Sequence, residues 1–573
     1  MYFLEKIKKE IADKINITLG DDLVQVSDFS YPMQASYGDV SLPCFELAKK
    51  LKKSPATLAS ELIGQIERGK VISGISAVGP YLNFAFTKSE LSKGILKEIE
   101  KQKESFGQNK EGKNKRVMIE YSNMNTHKEV HIGHLRNIFF GDSVNKILAA
   151  NGYKVIPVSY INDFGIHVAK TLWWTFNPAN KRASEARVEH LIEDKGDFLG
   201  TMYVESCQQA KDDKTADTLI KMTMRKIETR EGEEYALWQK TREWSIEGFE
   251  NLYNDLGIKF DHIFYESEYI DQGRTMVNEL IKKGILKESQ GAVIADLEAE
   301  NNSVLVVLRS DGTATYPVAD LALAYAKFEE YKLDKSIYVI DNRQSLYMKQ
   351  LFSILKKMGY KQDMAHLSYD SVKLPSGPMS SRSGNIITYK ELKQLLTDRT
   401  EREIRERHPA WEEEMINKTV RVIVNGAMKF EMLKIGSDQV ITFDIDKAVE
   451  FSGFTGVYLQ YTYARIQSIL RKAGDWTAEK NDYELGEEKE IQLLLKLAKY
   501  PDIVRNAGTK NDPSELAKYL FETGQLFNDY YHSVQILKSE PEKRIARLSL
   551  ISATAEVLKI GLGLLGMEVV EEM

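Results

Sequence analysis

Three of the nine histidines fall between His127 and His134, and the run His131, Ile132, Gly133, His134 lies where an apolar strand pattern gives way to a helical one. A helix N terminus offers free N–H groups and the positive end of the peptide dipole, which favours a bound triphosphate. Imidazole donors add to that field, and Gly133 would let a flat purine approach the backbone. A metal site is the weaker reading, since no cysteine or acidic partner stands at ligand spacing; a surface histidine pair is the other alternative. Far along the chain comes KLPSGPMSSRSGNIITY, rich in Gly, Ser and Pro. Its Met379, Ser380, Ser381 and Arg382, with the N–H groups around Gly384, could close over phosphates while charge builds in a transition state. An ordinary surface loop has the same composition.

Such residues need rigid elements behind them. The short apolar strand VMIEY leads through SNMNTHKE into a helix with apolar residues at three- and four-residue steps and a Gly stop, and YKVIPVSYI follows as a second strand. Strand, helix and strand in that order form the βαβ unit of a parallel nucleotide-binding sheet. Residues 177–260 are polar and helical, as expected of an insertion between two halves of that sheet. VLVVL, a helix from Pro317 and SIYVI then resume the α/β alternation as far as the loop near Met379.

Residues 1–112 read as a small α/β unit with an amphipathic first helix, two further helices and strand-like VISGISAVGPYLNFAF; the charged stretch Gln108 to Lys115 resembles a linker. From about Glu391 amphipathic helices dominate, among them YLQYTYARIQSILRKAG and RIARLSLISATAEVLKIGLGLLG. The expected architecture is multidomain α/β plus all-α: an N-terminal domain over 1–112, a Rossmann-like parallel-sheet catalytic domain over 113–395, and a helical bundle over 396–573.

A chain of 573 residues exceeds one ordinary core, and 43% apolar with 28% charged residues is the composition of a folded, globular protein. No run is long and apolar enough to suggest a membrane span, and the opening segment lacks the apolar core of a signal peptide. Two cysteines, Cys44 and Cys207, suit a reducing cytoplasm and argue against a structural zinc. The net charge of −6 excludes a protein coated in positive charge, so any nucleic acid must meet local basic patches.

Together the two phosphate-binding elements resemble the signature motifs of class I aminoacyl-tRNA synthetases. IEYSNMNTHKEVHIGHLRN, YINDFG, SDGTATYPVADLALAY and the closing LGLLGMEVVEEM resemble the arginyl-tRNA synthetases within that class, and GDVSLPCFELAKKLKKSPATLASEL with VGPYLNFAF resembles their additional N-terminal domain. The resemblance runs through essentially the whole chain. It implies ATP with Mg²⁺, L-arginine and tRNA-Arg as ligands, and transfer of arginine to the terminal ribose 2′-hydroxyl. It further implies an anticodon-binding C-terminal domain, an N-terminal domain touching the outer corner of the tRNA, and a cytoplasmic monomer in which tRNA is needed even for activation. His131, Gly133, His134, Met379, Ser380, Ser381 and Arg382 would then bind ATP, and Glu120, Asn125, Tyr316, Asp320 and Gln344 would bind arginine. Tyr316 and Asp320, four residues apart, would project from one side of a helix whose first position suits Pro317, and a carboxylate matches the donors of a guanidinium. The alternative for Asp320 is a helix-start carboxylate. The family's phosphate loop commonly carries lysine where this chain has Pro378 and Ser381, and the resemblance points to Lys128 as the replacement. Met124 stands where proline is frequent.

Overall fold

The computed structural model describes all residues except 33, 178, 181–193, 301, 376, 378–385 and 478–482, and the side chains of 35 and 212. Two compact units divide the chain: residues 1–109, 451–509 and 515–573 form one, and residues 110–450 with 510–514 form the other.

In the first unit the helix Phe3–Leu19 buries Leu4, Ile7, Ile11 and Ile15, a stripe at helical spacing. Strands β1 (Val40–Pro43), β2 (Ile72–Val78) and β3 (Tyr81–Phe86) form an antiparallel sheet in the order β1-β3-β2. The tight turn at Gly79 and Pro80 makes β2 and β3 a hairpin, with Val78 opposite Tyr81. Helices Phe45–Leu51, Pro55–Ile63 and Lys88–Gln102 belong with this sheet to the N-terminal part, and helices Gly456–Ala473, Glu488–Ala498, Tyr500–Lys510, Pro513–Ser533 and Pro541–Leu564 follow in the C-terminal part. Asp502 accepts from the Lys8 ammonium at 3.0 Å and the Tyr31 hydroxyl at 2.7 Å, and Phe106 stacks on Tyr500. Polar and aromatic contacts thus tie the first 109 residues to the C-terminal helices.

The second unit is built on five parallel strands: β4 (Arg116–Glu120), β5 (Lys154–Ile161), β6 (His262–Tyr265), β10 (Lys335–Asp341) and β11 (Asp363–Tyr369), in the order β11-β10-β4-β5-β6. Strand β4 is central, pairing with β5 on one side and β10 on the other. Such a strand is covered on both faces and reads as a continuous apolar run, as Val117, Met118 and Ile119 do. The helix Ile132–Ala150 crosses from β4 to β5 and is buried nearly all round, since the helix Glu413–Leu433 also packs on it. A core between sheet and helices joins Val158, Phe264, Val277, Val318, Leu321, Ile354 and Leu355.

Between β5 and β6 the helices Ile166–Thr175, Lys195–Asp212, Ala216–Glu228 and Gly232–Leu256 enclose a core of their own, with Leu172, Trp173, Trp174, Met202, Ile220, Trp238 and Trp244. The VLVVL run differs from expectation. It forms β9 (Leu305–Leu308), which joins β7 (Lys287–Ser289) and β8 (Ala292–Ala295) in a separate antiparallel sheet. An apolar run specifies a strand and not its partner; the tight turn at Gln290 and Gly291 pairs β7 with β8, and β9 adds to that hairpin. The parallel sheet resumes only at β10.

Candidate functional site

Parallel strands all end at one edge, and ligands bind where the chain leaves that edge. Here β4 ends on Glu120, β5 runs into Asn162 and Asp163, β6 into Glu266, and β10 ends on Asp341. A cleft of about 510 Å³ opens there, and Glu120, Asn125, Lys128, His131, Gly133, His134, Tyr316, Asp320 and Gln344 all line it. Met379, Ser380, Ser381 and Arg382 lie outside the described residues. A few residues further on, the chain pairs with the first motif: Ile132 N–H donates to the Ile387 carbonyl at 3.2 Å and Tyr389 N–H to the Val130 carbonyl at 2.8 Å. The second motif therefore leads directly into a backbone seam with the first.

His131 caps the helix Ile132–Ala150, and its Nδ1 accepts from Gly133 N–H at 3.1 Å; His134 Nδ1 accepts from His131 N–H at 3.1 Å. The rings stack with centroids 3.9 Å apart. Ile132 N–H is taken by Ile387, and His134 N–H donates to the His131 carbonyl. This corrects the expectation of free N–H groups at the helix start: the first four are all engaged. Each Nδ1 accepts, so in a neutral ring Nε2 carries the proton and is the donor left for a ligand. Burial, with Lys128 nearby, pulls His131 down to about 4; burial, His131 and Lys128 hold His134 well below its ordinary value. A side chain at Gly133 would put Cβ 3.0 Å from His131 Cε1, so glycine keeps this ring in place.

The third histidine has a different place. His127 is fully buried, its Nε2 2.7 Å from Thr241 Oγ1 and its Nδ1 2.9 Å from Thr126 Oγ1. Its φ of 62° is a left-handed value that a non-glycine residue rarely adopts, held here by Ser245 Oγ accepting from its N–H at 3.0 Å. It docks the loop onto the insertion.

Acidic groups line the same cleft. Asp320 accepts from the Tyr347 hydroxyl; burial pushes its carboxyl up to about 6, the Tyr347 bond opposing and the Glu120 charge adding. Glu266 accepts from Asn162 Nδ2 at 3.0 Å, and burial pushes it up to about 8, with Asp320 and Asp163 adding to the shift. Glu120 pairs with the Lys327 ammonium, both side chains almost inaccessible. Burial draws Lys327 down, but Glu120, together with Tyr338 and Asp320, outweighs it and the amine stays charged. Asp320 and Lys327 are seven residues apart, two turns of one helix, which is why both face the site. Tyr316 is 67% exposed at the helix start, and Gln344 is exposed beside β10. Glu266 stands behind Asn162 and does not line the cleft, whereas Asp320 and Glu120 do, with one ammonium already paired; these acceptors suit a cationic ligand with several N–H groups. Glu266, Tyr347, Lys327 and Asn162 escape the sequence reading; the available signal for Glu266 and Asn162 is position just beyond the last residue of a parallel strand. Among the described residues no group of three or more His, Cys, Asp or Glu side chains could hold a metal ion.

The model of "tRNA synthetases class I (R), catalytic domain" matches residues 95–443, the span that holds this parallel sheet and the cleft at its C-terminal edge, so the class is that of the class I tRNA synthetases. The "Arginyl tRNA synthetase N terminal domain" matches residues 5–86 and the "DALR anticodon binding domain" residues 459–573. An arginine–tRNA ligase of Clostridium botulinum is 34% identical over 99% of this chain and 100% of its own length. One from Bdellovibrio bacteriovorus is 34% identical over 95% of this chain and 93% of its own. The structure of the Thermus thermophilus arginyl-tRNA synthetase superposes with a TM-score of 0.82 at 26% identity, covering 99% of both chains. The chain belongs to the arginyl-tRNA synthetase family.

Two outcomes are expected from the geometry. Neither His131 nor His134 should titrate between about pH 5.5 and 8, which the ring-proton shifts in NMR of selectively labelled protein would test; a midpoint near 6.5 for either would mean a solvated imidazole. Lys327→Met leaves Glu120 as a buried, uncompensated charge and should lower stability by about 3–5 kcal/mol. Unchanged chemical denaturation of this variant would mean that water reaches the pair.

Proposed function

We propose that this chain activates L-arginine with ATP and transfers it to the terminal ribose 2′-hydroxyl of tRNA-Arg. The observation that carries the reading is the cleft itself, lined both by the two imidazoles, whose Nε2–H groups are left for a ligand, and by the Asp320 carboxyl, which burial displaces upward. The arginine carboxylate attacks the α-phosphorus of ATP, the bond to the β-phosphate breaks, and pyrophosphate leaves with both electrons of that bond. No protein nucleophile is required, so the residues act by positioning and by stabilising charge. His131 and His134 donate through Nε2 to the phosphates, Lys128 replaces the lysine that the second motif lacks, and Met379, Ser380, Ser381 and Arg382 close the ATP site. Mg²⁺ enters as part of the substrate MgATP.

Asp320 takes the guanidinium, with Tyr316 beside it and Tyr347 orienting Asp320, while Glu120, Asn125 and Gln344 line the remainder of the amino-acid site. In the second step the ribose 2′-oxygen attacks the arginyl carbonyl carbon and AMP leaves, the hydroxyl proton passing to the released phosphate or to solvent. The C-terminal helices hold the anticodon stem and loop, and residues 1–112 touch the outer corner of the tRNA. A reducing cytoplasm and a monomeric state complete the reading. Pyrophosphate exchange with each amino acid, with and without tRNA, tests it: exchange with arginine alone among the amino acids supports it, and preference for another sinks it.

Three further outcomes are expected. His131→Ala or His134→Ala should slow adenylate formation by about ten- to a thousandfold, the range for removing a transition-state donor, with little change in arginine binding; normal turnover in both would remove the phosphate role. Asp320→Asn swaps an acceptor for a donor, so one N–H faces another, and the arginine KM should rise at least about a hundredfold while that for ATP stays near normal. Citrulline should lose less than arginine in this variant, and equal losses would make Asp320 a helix-start carboxylate only.

The third concerns pH. Asp320 in the cleft ionises only at a raised pH of about 6, and a bound cation favours the ionised form. Arginine binding below that pH therefore releases a proton, and its affinity should strengthen by up to about tenfold per unit as the pH rises towards about 6, then level off. Calorimetry in buffers of different ionisation enthalpy measures the released proton. A pH-independent affinity from about pH 4.5 to 7 would exclude this carboxyl from the guanidinium site.

A further inference from the structure

Three consecutive residues before the first motif dock on the insertion. His127 is held by Thr241 and Ser245 of the helix Gly232–Leu256. Glu129 lies against Gly200 of the helix Lys195–Asp212, where a Cβ would sit 2.9 Å from Glu129 Cβ and 3.2 Å from its Oε2. Between them, the Lys128 ammonium stands 5.0 Å from the ring centroid of Tyr203 on that same helix. Asp197, Gly200 and Tyr203 are three residues apart and so share one stripe.

The stripe is braced further. Glu129 is hydrogen-bonded to Asp197, burial and the charges of Asp197 and Glu391 pushing its carboxyl up to about 7, so that it keeps a proton to share near neutral pH. Lys390 binds both Asp194 and Asp197, and it directly follows Tyr389, whose N–H is bonded to the Val130 carbonyl. Tyr203 is itself 7% exposed and lines the cleft, so the ring is fixed. A lysine is a compact charge on a flexible four-carbon stem, and a fixed aromatic face attracts it and narrows where it can rest.

We propose that the Asp197–Gly200–Tyr203 face of the insertion is a positioning element that sets where the Lys128 ammonium lies in the cleft, so that phosphate handling depends on a helix outside the sheet. This rests on the reading of Lys128 as the phosphate lysine. Tyr203 and Gly200 act through Lys128 and touch no substrate.

The test is a double-mutant cycle on the full chain, read by pyrophosphate exchange in the presence of tRNA-Arg with arginine varied up to saturation. Tyr203→Ala should lower kcat by about three- to tenfold with the arginine KM unchanged, and Tyr203→Phe, which keeps the ring face, should recover most of that loss. In a Lys128→Ala background Tyr203→Ala should have no further effect. Gly200→Ala, which forces the helix away from Glu129, should behave in the same way and serves where Tyr203→Ala folds poorly. Losses that multiply in the double variants, or a Tyr203→Phe enzyme as slow as Tyr203→Ala, would overturn the proposal. A Lys128→Ala enzyme with full exchange would overturn it differently, by removing the phosphate role of Lys128 itself.

Discussion

Everything in the catalytic unit depends on the register of one central strand. Because β4 pairs in parallel with both β10 and β5, Glu120 lies beside Tyr338 on one side and Val158 on the other. The segments that leave β4, β5, β6 and β10 therefore start from one line. Backbone pairing extends a short way past the sheet: Asn125 bridges Asn162, with Asn162 N–H donating to the Met124 carbonyl at 2.9 Å and Thr126 N–H to the Asn162 carbonyl at 3.1 Å. A slip of one residue would turn Glu120 from the Lys327 pair to the opposite face. The buried ion pair and the strand register thus specify each other.

Desolvation then decides what the edge can hold. An ionised carboxylate buried alone is far more costly than one that is paired and hydrogen-bonded. Glu120 has its counter-ion within the fold, and so it belongs to the framework as much as to the ligand site. Asp320 and Glu266 accept from hydroxyl and amide donors, and burial, which the Lys327 charge offsets only in part at Asp320, displaces their ionisation upward. The fold stores an unmet demand for positive charge there, and a ligand that meets it gains the most. On the proposed reading this is how selection for arginine is tied to stability rather than added to it.

Sequence made the elements legible because the apolar period and the Gly and Pro stops act locally. His131, Gly133 and His134 were legible as a motif, and Asp320 as a carboxylate one turn into a helix that begins beside Pro317. The seam between Val130 and Tyr389 was not, since it joins segments far apart in the chain through backbone atoms that carry no residue code. Lys327 reads as one more charge in a helix unless the site is known to lie two turns away. Glu266 opens a helix with two other acidic residues nearby, Glu268 and Asp271, and only the end of β6 distinguishes it. For β9 the pattern identified the strand, and the partner was set by a short hairpin that hydrophobicity does not encode.

On the proposed reading, the engaged N–H groups at the start of the helix Ile132–Ala150 change what kind of phosphate site this would be. A loop that offers its own N–H groups fits a phosphate through backbone geometry, and any side chain that permits the turn will serve. Here those groups are consumed by the two imidazoles and by the Ile387 and His131 carbonyls, so the donors are relayed outward from the backbone to Nε2. Each ring is fixed at Nδ1 and stacked on its neighbour, and the direction of each Nε2–H follows from the helix. The relay only works while the rings stay neutral, because a charged imidazole would place a proton on Nδ1 against an N–H. Burial supplies that condition. The positive charge that neutral rings cannot give must then come from elsewhere in the cleft, and Lys128, three residues before His131 and docked on the insertion, stands where it can.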